Sequence, residues 1–267
     1  MQVAFACQPA APASTNEDFV VACPSAVIVI DGASVPQELD TGCHHGTPWF
    51  VAQLGTTLLR QLVTRPADDL AGSLARAIEQ VRSLHDGECD LAHPGSPSAA
   101  LAVLREHDGQ VDYLVLADCT VALASLGGIE VISDDRISQV AQAERAAKAA
   151  FSTLVRAQRR HRNRAGGFWV ASVDPAAAQH AITGRMARSQ LGRAVVLTDG
   201  AARLVERFQL ATWPEALALL EQHGPGALVA RVRAAERDDP QCVRWPRSKR
   251  HDDATVAVCS FEETRGN

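Results

Sequence analysis

The sequence has no CxxC pair, no long apolar run, no basic excess and no linker rich in glycine, serine or proline, and each absence removes a class of protein. The seven cysteines, at 7, 23, 43, 89, 119, 242 and 259, are odd in number and never sit two residues apart, so neither a disulfide framework nor a zinc knuckle is expected. They read as buried free thiols in a reducing cytoplasm. Cys43 stands beside His44 and His45, but three adjacent side chains rarely converge on one ion, so no soft-metal site is expected there. No stretch approaches the roughly 20 apolar residues that span a bilayer. The opening "MQVAFACQPAAPAS" has no basic start and only a short apolar run before Cys7, so no signal peptide and no membrane contact are expected. A net charge of −5, from 26 Lys and Arg against 31 Asp and Glu, argues against a general nucleic-acid partner. The one tyrosine, Tyr113, leaves no aromatic platform for stacking bases. With 267 residues, 46% hydrophobic, and no internal repeat, positions 1–267 read as a single domain with a substantial core.

What is present is a set of apolar runs that end on aspartate. "AVIVID" (26–31), "VDYLVLAD" (111–118) and "AVVLTDG" (194–200) share this form, and "DATVAVCSF" (253–261) reverses it. Such runs predict strands. Leu70, Leu74, Ile78, Val81 and Leu84 recur at spacings of four and three, which predicts a helix with one apolar stripe. Residues 47–63 and 137–158 also read as helices, as does 213–223 with Pro214 early in it. "PSAALAVLRE" (97–106) is ambiguous by itself, and the Asp-Gly of "HDGQ" favours a hairpin with the strand at 111. "RRHRNRAGG" (159–167) is the best candidate for a mobile loop. This order lacks a regular βαβ alternation and favours an α+β domain of largely antiparallel sheets covered by helices.

Asp31 closes a run of buried character, where an ionised carboxylate is costly unless it is paired, hydrogen-bonded or bound to a metal. Carboxylates recur at the edges of other predicted strands: Glu17 and Asp18 in "NED", Asp118 after "LVLA", Asp199 in "TDG", Asp252 and Asp253 in "HDD". Any one of these alone can simply start a turn. Gathered at one end of a core they would repel one another unless cations sat among them. Oxygen-only ligation selects hard ions such as Mg²⁺ or Mn²⁺, and two such ions can activate water against a phosphorus atom.

The ordered set "NED … VIVIDGAS … PSAALAVL … YLVLADCTVAL … RAGGFWV … VVLTDG … DDATVAV" resembles the type-2C metal-dependent protein phosphatase (PPM) family over nearly the whole chain. The resemblance implies a four-layer αββα sandwich, two antiparallel sheets flanked by helices, and two or three Mg²⁺ or Mn²⁺ ions. It implies hydrolysis of phosphoserine or phosphothreonine in a protein by a metal-bridging hydroxide. On the matching positions, Asp31 would bridge two ions, Glu17 and the Gly32 carbonyl would complete one site, and Asp199 and Asp252 the other. Asp118 with Asp199 would match a third-metal position, and Asp18 would orient the ligands from behind.

The departures from the family are specific. Its phosphate-gripping arginine is replaced by Ala13, and no Arg or Lys occurs before Arg60. "DGxGG" is "DGAS", with Ala33 where some members carry a histidine, and Asp253 stands for the usual asparagine. These losses admit a small phosphorylated metabolite as substrate, or a weakly active regulator that binds a partner. His44 and His45 are candidate general acids, since imidazole titrates near neutral pH, or else a surface pair. His251 either faces the site or is a bonded loop residue. In "RAQRRHRNR", Arg159 and Arg160 are candidates to bind the phosphate or an acidic partner, unless the run is the solvated face of a helix.

Overall fold

A strand that is apolar at every position has to be covered on both faces, because successive side chains point to opposite sides. In the computed structural model, which describes residues 1–85, 87–140, 142–147 and 149–261, the strand Ala26–Gly32 is covered in this way. Ile28 and Ile30 pack under helices while Val27 and Val29 face a second sheet. The elements in chain order are β1 (Gln2–Gln8), β2 (Asp18–Cys23), β3 (Ala26–Gly32), α1 (Gly46–Thr64), α2 (Leu70–Ser83), β4 (Ala99–His107), β5 (Gln110–Leu116), β6 (Thr120–Ser125) and β7 (Gly128–Ile132). There follow α3 (Arg136–Gln139), α4 (Gln142–Ala146), α5 (Phe151–His161), β8 (Ile182–Ala187), β9 (Leu191–Leu197), α6 (Asp199–Glu206), α7 (Trp213–His223), α8 (Pro225–Asp238) and β10 (Ala254–Ser260).

The strands form two five-stranded sheets, ordered β1-β10-β9-β6-β7 and β2-β3-β4-β5-β8, with antiparallel pairing throughout. Their facing sides, carrying for example Val29, Ala102, Val196 and Ala257, make the central core. The helices α1 and α2 cover the outer side of the second sheet, over Ile30, Leu101 and Leu114. The helices α6, α7 and α8 cover the outer side of the first, over Val195, Leu197 and Val256. Four layers result, as the α+β αββα sandwich requires. Among the described residues, no helix is long and apolar enough to cross a membrane.

The predicted hairpin is present: β4 and β5 join through Asp108 and Gly109, at φ 48° and 71°, with His107 opposite Gln110. Two positive φ angles in a two-residue loop match the twist of the strands that flank it. The helix predicted over 137–158 is instead three short helices, interrupted by extended backbone at Val140 and Ala150, whose ψ angles are 139° and 148°. Val140 packs against the inter-sheet core, Ile137 packs there and also reaches a cavity at the sheet ends, and Leu154 and Val155 face that cavity. One straight helix cannot deliver both sets of side chains, so tertiary burial overrides the local helical preference. The segment expected to be mobile is tied down: Arg162 donates to the Pro94 carbonyl (2.8 Å), the Ser96 carbonyl (2.9 Å) and the Ser98 hydroxyl (2.8 Å).

Candidate active site

Antiparallel register gathers the acids. Asp18 pairs opposite Asp31, so the start of β2 and the end of β3 coincide. Leu197 pairs with both Val256 and Thr120, which brings Asp199 just after β9, Asp252 just before β10 and Asp118 just before β6 to the same end of the sandwich. There Asp31, Gly32, Asp118, Asp199 and Asp252 line a cavity of about 660 Å³. Glu17 lies beside it, accepting a hydrogen bond from the Ser34 hydroxyl, and Ser34 itself lines the cavity.

Behind these groups a polar frame holds them in place. Buried Asp18 accepts from the hydroxyls of Thr198 (2.9 Å) and Thr255 (2.8 Å), tying β2 to the ends of β9 and β10. Asp253 accepts from the backbone amides of Ala10 and Glu17, both at 2.7 Å, and so orients Glu17 through its main chain. The two Asp-Gly pairs are close approaches of backbone to backbone. A Cβ on Gly32 would stand 2.4 Å from the Glu17 carbonyl oxygen, and one on Gly200 would stand 1.9 Å from that of Asp253. Only glycine fits at either place.

The electrostatics follow from burial. Asp31 is pushed well above the usual carboxylate range, first by burial and then by Asp18, Asp199, Asp118 and Asp252. Asp18 is also pushed well up by burial, against the opposing hydrogen bonds of its two threonines. Glu17 is raised by burial too, although the Ser34 hydroxyl and Lys249 oppose it. Asp252 goes the other way: burial is outweighed by Lys249 and Arg203, and its carboxyl is held low. Lys249 donates to Asp252 at 2.7 Å and to the Ser34 hydroxyl at 2.9 Å, and Arg203 donates to the second oxygen of Asp252. An all-oxygen donor set in which Asp31 is surrounded by like charges fits hard divalent cations such as Mg²⁺ or Mn²⁺.

Other sequence candidates lie elsewhere. His44 and His45 do not line the cavity; their Nδ1 atoms face the sulfur of Cys89, at 3.5 and 3.4 Å, because the turn before α1 directs them toward the end of α2. Arg159 donates to the Asp40 carbonyl (3.0 Å) and Arg160 pairs with Glu144 (3.8 Å), so neither reaches the cavity. It is Phe151, Leu154, Val155 and Gln158 that α5 turns toward the acids. His251 bonds to buried Glu236 at 2.9 Å, the loop alternative.

Sequence reasoning missed Lys249 and Arg203, which both line the cavity. A signal existed: Lys249 stands three residues before Asp252, and Arg203 one helical turn after Asp199. The loop that delivers Lys249 is organised by Asp239, which accepts from the amides of Val243 (2.9 Å), Arg244 (3.2 Å) and Trp245 (3.0 Å) and from Arg247 (2.7 Å). Burial opposes ionisation of Asp239, but the Trp245 amide, Arg247 and the other two amides hold it far below the usual range. A depressed folded pKa stabilises above the unfolded pKa and is lost as pH falls through the folded value. Asp239→Asn is therefore expected to lower Tm at pH 7, with the difference shrinking as the pH is taken below about 4. Thermal unfolding of both proteins across pH 2–7 checks this, and a difference independent of pH would refute it.

No family model and no curated protein matches the sequence. Solved structures do match. The catalytic domain of serine threonine protein phosphatase PstP, in complex with two manganese ions, is 15% identical with a TM-score of 0.58, covering 97% of each chain. The PPM Ser-Thr phosphatase MsPP from Mycobacterium smegmatis, in complex with cacodylate, is 17% identical with a TM-score of 0.58, over 98% of this chain and 99% of that one. PppA, a key regulatory component of T6SS in Pseudomonas aeruginosa, is 17% identical with a TM-score of 0.57, over 97% of each. Along nearly its whole length, this chain has the fold of the PPM-type serine/threonine phosphatases.

Proposed function

We propose that the chain is a Mg²⁺- or Mn²⁺-dependent phosphatase of phosphate monoesters, acting in the cytoplasm on phosphoserine or phosphothreonine in a protein, or on a small phosphorylated metabolite. The observation that carries this reading is the meeting of Asp31, Asp118, Asp199 and Asp252 around one cavity, with Glu17 beside it, at the end of this fold. Asp31, Glu17, the Gly32 carbonyl, Asp199 and Asp252 would hold two ions. Asp118 and Asp199 would hold a third. The chemistry such ions would supply, when bound, is a water of lowered pKa and neutralisation of charge on the phosphoryl oxygens. The chain's own residues position the rest. Asp18 and Asp253 hold the β2 edge and Glu17 in place. Lys249, held by Asp252 and Ser34, supplies a point charge for the phosphate in place of the arginine absent at Ala13. Phe151 and Leu154 of α5 form an apolar wall of the cavity beside the acids.

The test is phosphate release from a phosphothreonine peptide and from a small phosphate monoester in the presence of Mn²⁺. Loss of release with EDTA and in Asp199→Asn is expected; equal release in all samples would end the reading.

One observation favours a second reading, a weakly active regulator. Both oxygens of Asp252 are engaged by Lys249 and Arg203, which compete with any cation for that carboxylate. Titration calorimetry separates the two: no Mn²⁺ binding at millimolar concentration would favour the regulator.

A further inference from the structure

The turn leading into α1 and the turn leaving α2 bring together four side chains that the acidic cavity does not use. Cys43 and His45 come from the first turn, His85 and Cys89 from the second. The sulfur of Cys89 lies 3.2 Å from that of Cys43 and 3.4 Å from Nδ1 of His45. The Cys43 sulfur lies 3.6 Å from Nδ1 of His45 and 3.6 Å from Nδ1 of His85. All four donor atoms fall within 4.8 Å of one another, and both cysteines are free thiols. Sequence alone gives no reason to expect a soft-metal site at Cys43, His44 and His45, because the other half of the cluster, His85 and Cys89, comes from a distant turn; the donors of all three neighbours approach the Cys89 sulfur, and Cys43 and His45 group with His85 and Cys89.

With Zn–S bonds of about 2.3 Å and Zn–N bonds of about 2.0–2.1 Å, the edges of an S₂N₂ tetrahedron measure about 3.3–3.8 Å. The three sulfur–nitrogen contacts, at 3.6, 3.6 and 3.4 Å, match the S–N edge of about 3.6 Å, while the sulfur–sulfur contact of 3.2 Å is about 0.6 Å shorter than the S–S edge of about 3.8 Å, so the two thiolates would part by that much around the ion. The imidazoles are fixed by packing. His45 stacks on Trp49 at a centroid distance of 4.1 Å, and His85, 3% exposed, meets the same indole edge-on at 4.9 Å. The two turns are also joined by their backbones, Asp90 N–H donating to the Gly42 carbonyl at 2.8 Å.

We propose that Cys43, His45, His85 and Cys89 bind one zinc ion in a closed, structural site. Thiolates are soft ligands and select zinc over the hard ions suited to the carboxylates. On binding, each thiol releases its proton to solvent and each imidazole donates its neutral Nδ1, so the two thiolates balance the charge of Zn²⁺. Four protein ligands leave no open position for water, so the site holds structure and does no chemistry. It clamps the start of α1 to the end of α2. It thereby closes the far end of the loop that leaves Gly32 and carries Ala33 and Ser34 past the cavity. This inference is independent of the phosphatase reading.

His44 is the competing ligand, its Nδ1 3.5 Å from the Cys89 sulfur, but it is exposed and its Nε2 points to Glu88 at 3.7 Å. Zinc content of the full chain purified without chelator, measured by plasma mass spectrometry, tests the site. One zinc per chain is expected in the wild type, in His44→Ala and in Asp31→Asn, with at least a roughly tenfold loss in Cys89→Ser and His85→Ala. If those two variants do not fold, cobalt substitution of the wild type decides the matter: tetrahedral d–d bands with thiolate-to-cobalt charge transfer support the site. Metal-free wild type that takes up cobalt without thiolate charge transfer, zinc retained in the Cys43→Ser/Cys89→Ser double variant, or zinc lost in Asp31→Asn alone would each overturn it.

Discussion

Asp31→Asn is expected to cut Mn²⁺-dependent phosphate release by on the order of 10³-fold while making the metal-free protein more stable at alkaline pH. Both effects have one cause. Asp31 ends β3 facing a cavity lined by like charges, so it is the carboxylate that most needs cations and the one whose ionisation costs most without them. Its folded pKa is raised by burial and by four other carboxylates. A group raised in this way contributes fully to stability below its unfolded pKa, and that contribution is lost as pH rises through the folded value. At pH 8, without metal, the wild type therefore carries a penalty that the amide lacks, read as a lower Tm. Near pH 4 the two proteins converge. Adding Mn²⁺ should raise the Tm of the wild type and leave that of Asp31→Asn little changed. Unchanged phosphate release in the variant, or a Tm difference that ignores pH, would remove Asp31 from the role assigned to it.

Lys249→Gln is expected to raise KM for a phosphorylated peptide by about 10- to 100-fold and to tighten Mn²⁺ binding by about tenfold. The two changes oppose one another in activity, and that opposition is the signature. Lys249 faces the cavity with its charge raised in pKa: burial works against it, and Asp252, Asp31 and Asp199 more than compensate. In the free protein it occupies an oxygen of Asp252 that a cation would use; when a phosphoryl group enters, the same ammonium can turn to it. Steady-state kinetics at saturating Mn²⁺ measure the first effect, and titration calorimetry of the substrate-free protein measures the second. If neither KM nor metal affinity moves, Lys249 only fills space beside Asp252, and the phosphate must be gripped by another cation such as Arg207, which also lines the cavity.

Much of the fold is legible because its causes are local. The run at 26–31 is apolar on both sides, so it must be sandwiched, and it is. Leu70, Leu74, Ile78 and Val81 share one helical face and are buried together in α2, whereas Leu84, predicted to continue the stripe, caps the helix end and is exposed. Asp108-Gly109 closes the hairpin that its sequence predicts. The acids at strand ends are legible for the same reason. The helix predicted over 137–158 shows the limit. Its residues prefer helix locally, but Val140 is drawn to the inter-sheet core and Leu154 to the cavity, and the chain breaks to satisfy both.

The sequence by itself determined which segments become buried strands and amphipathic helices, and that aspartates punctuate the strands, because those features depend on neighbours within one turn or one pleat. Only the tertiary structure decided which side chains share a site. Arg203 reaches Asp252 from a distant helix, Lys249 joins Asp252 to Ser34 of the loop after β3, and His45 faces Cys89 rather than the acids. Arg159 turns to the Asp40 carbonyl and Arg160 to Glu144, away from the acids that Phe151 and Leu154 face. The physical reason is that charge pairing and ligand geometry act over a few ångströms in space. The segments they join lie tens to hundreds of residues apart along the chain, and antiparallel register and helix packing bring them together.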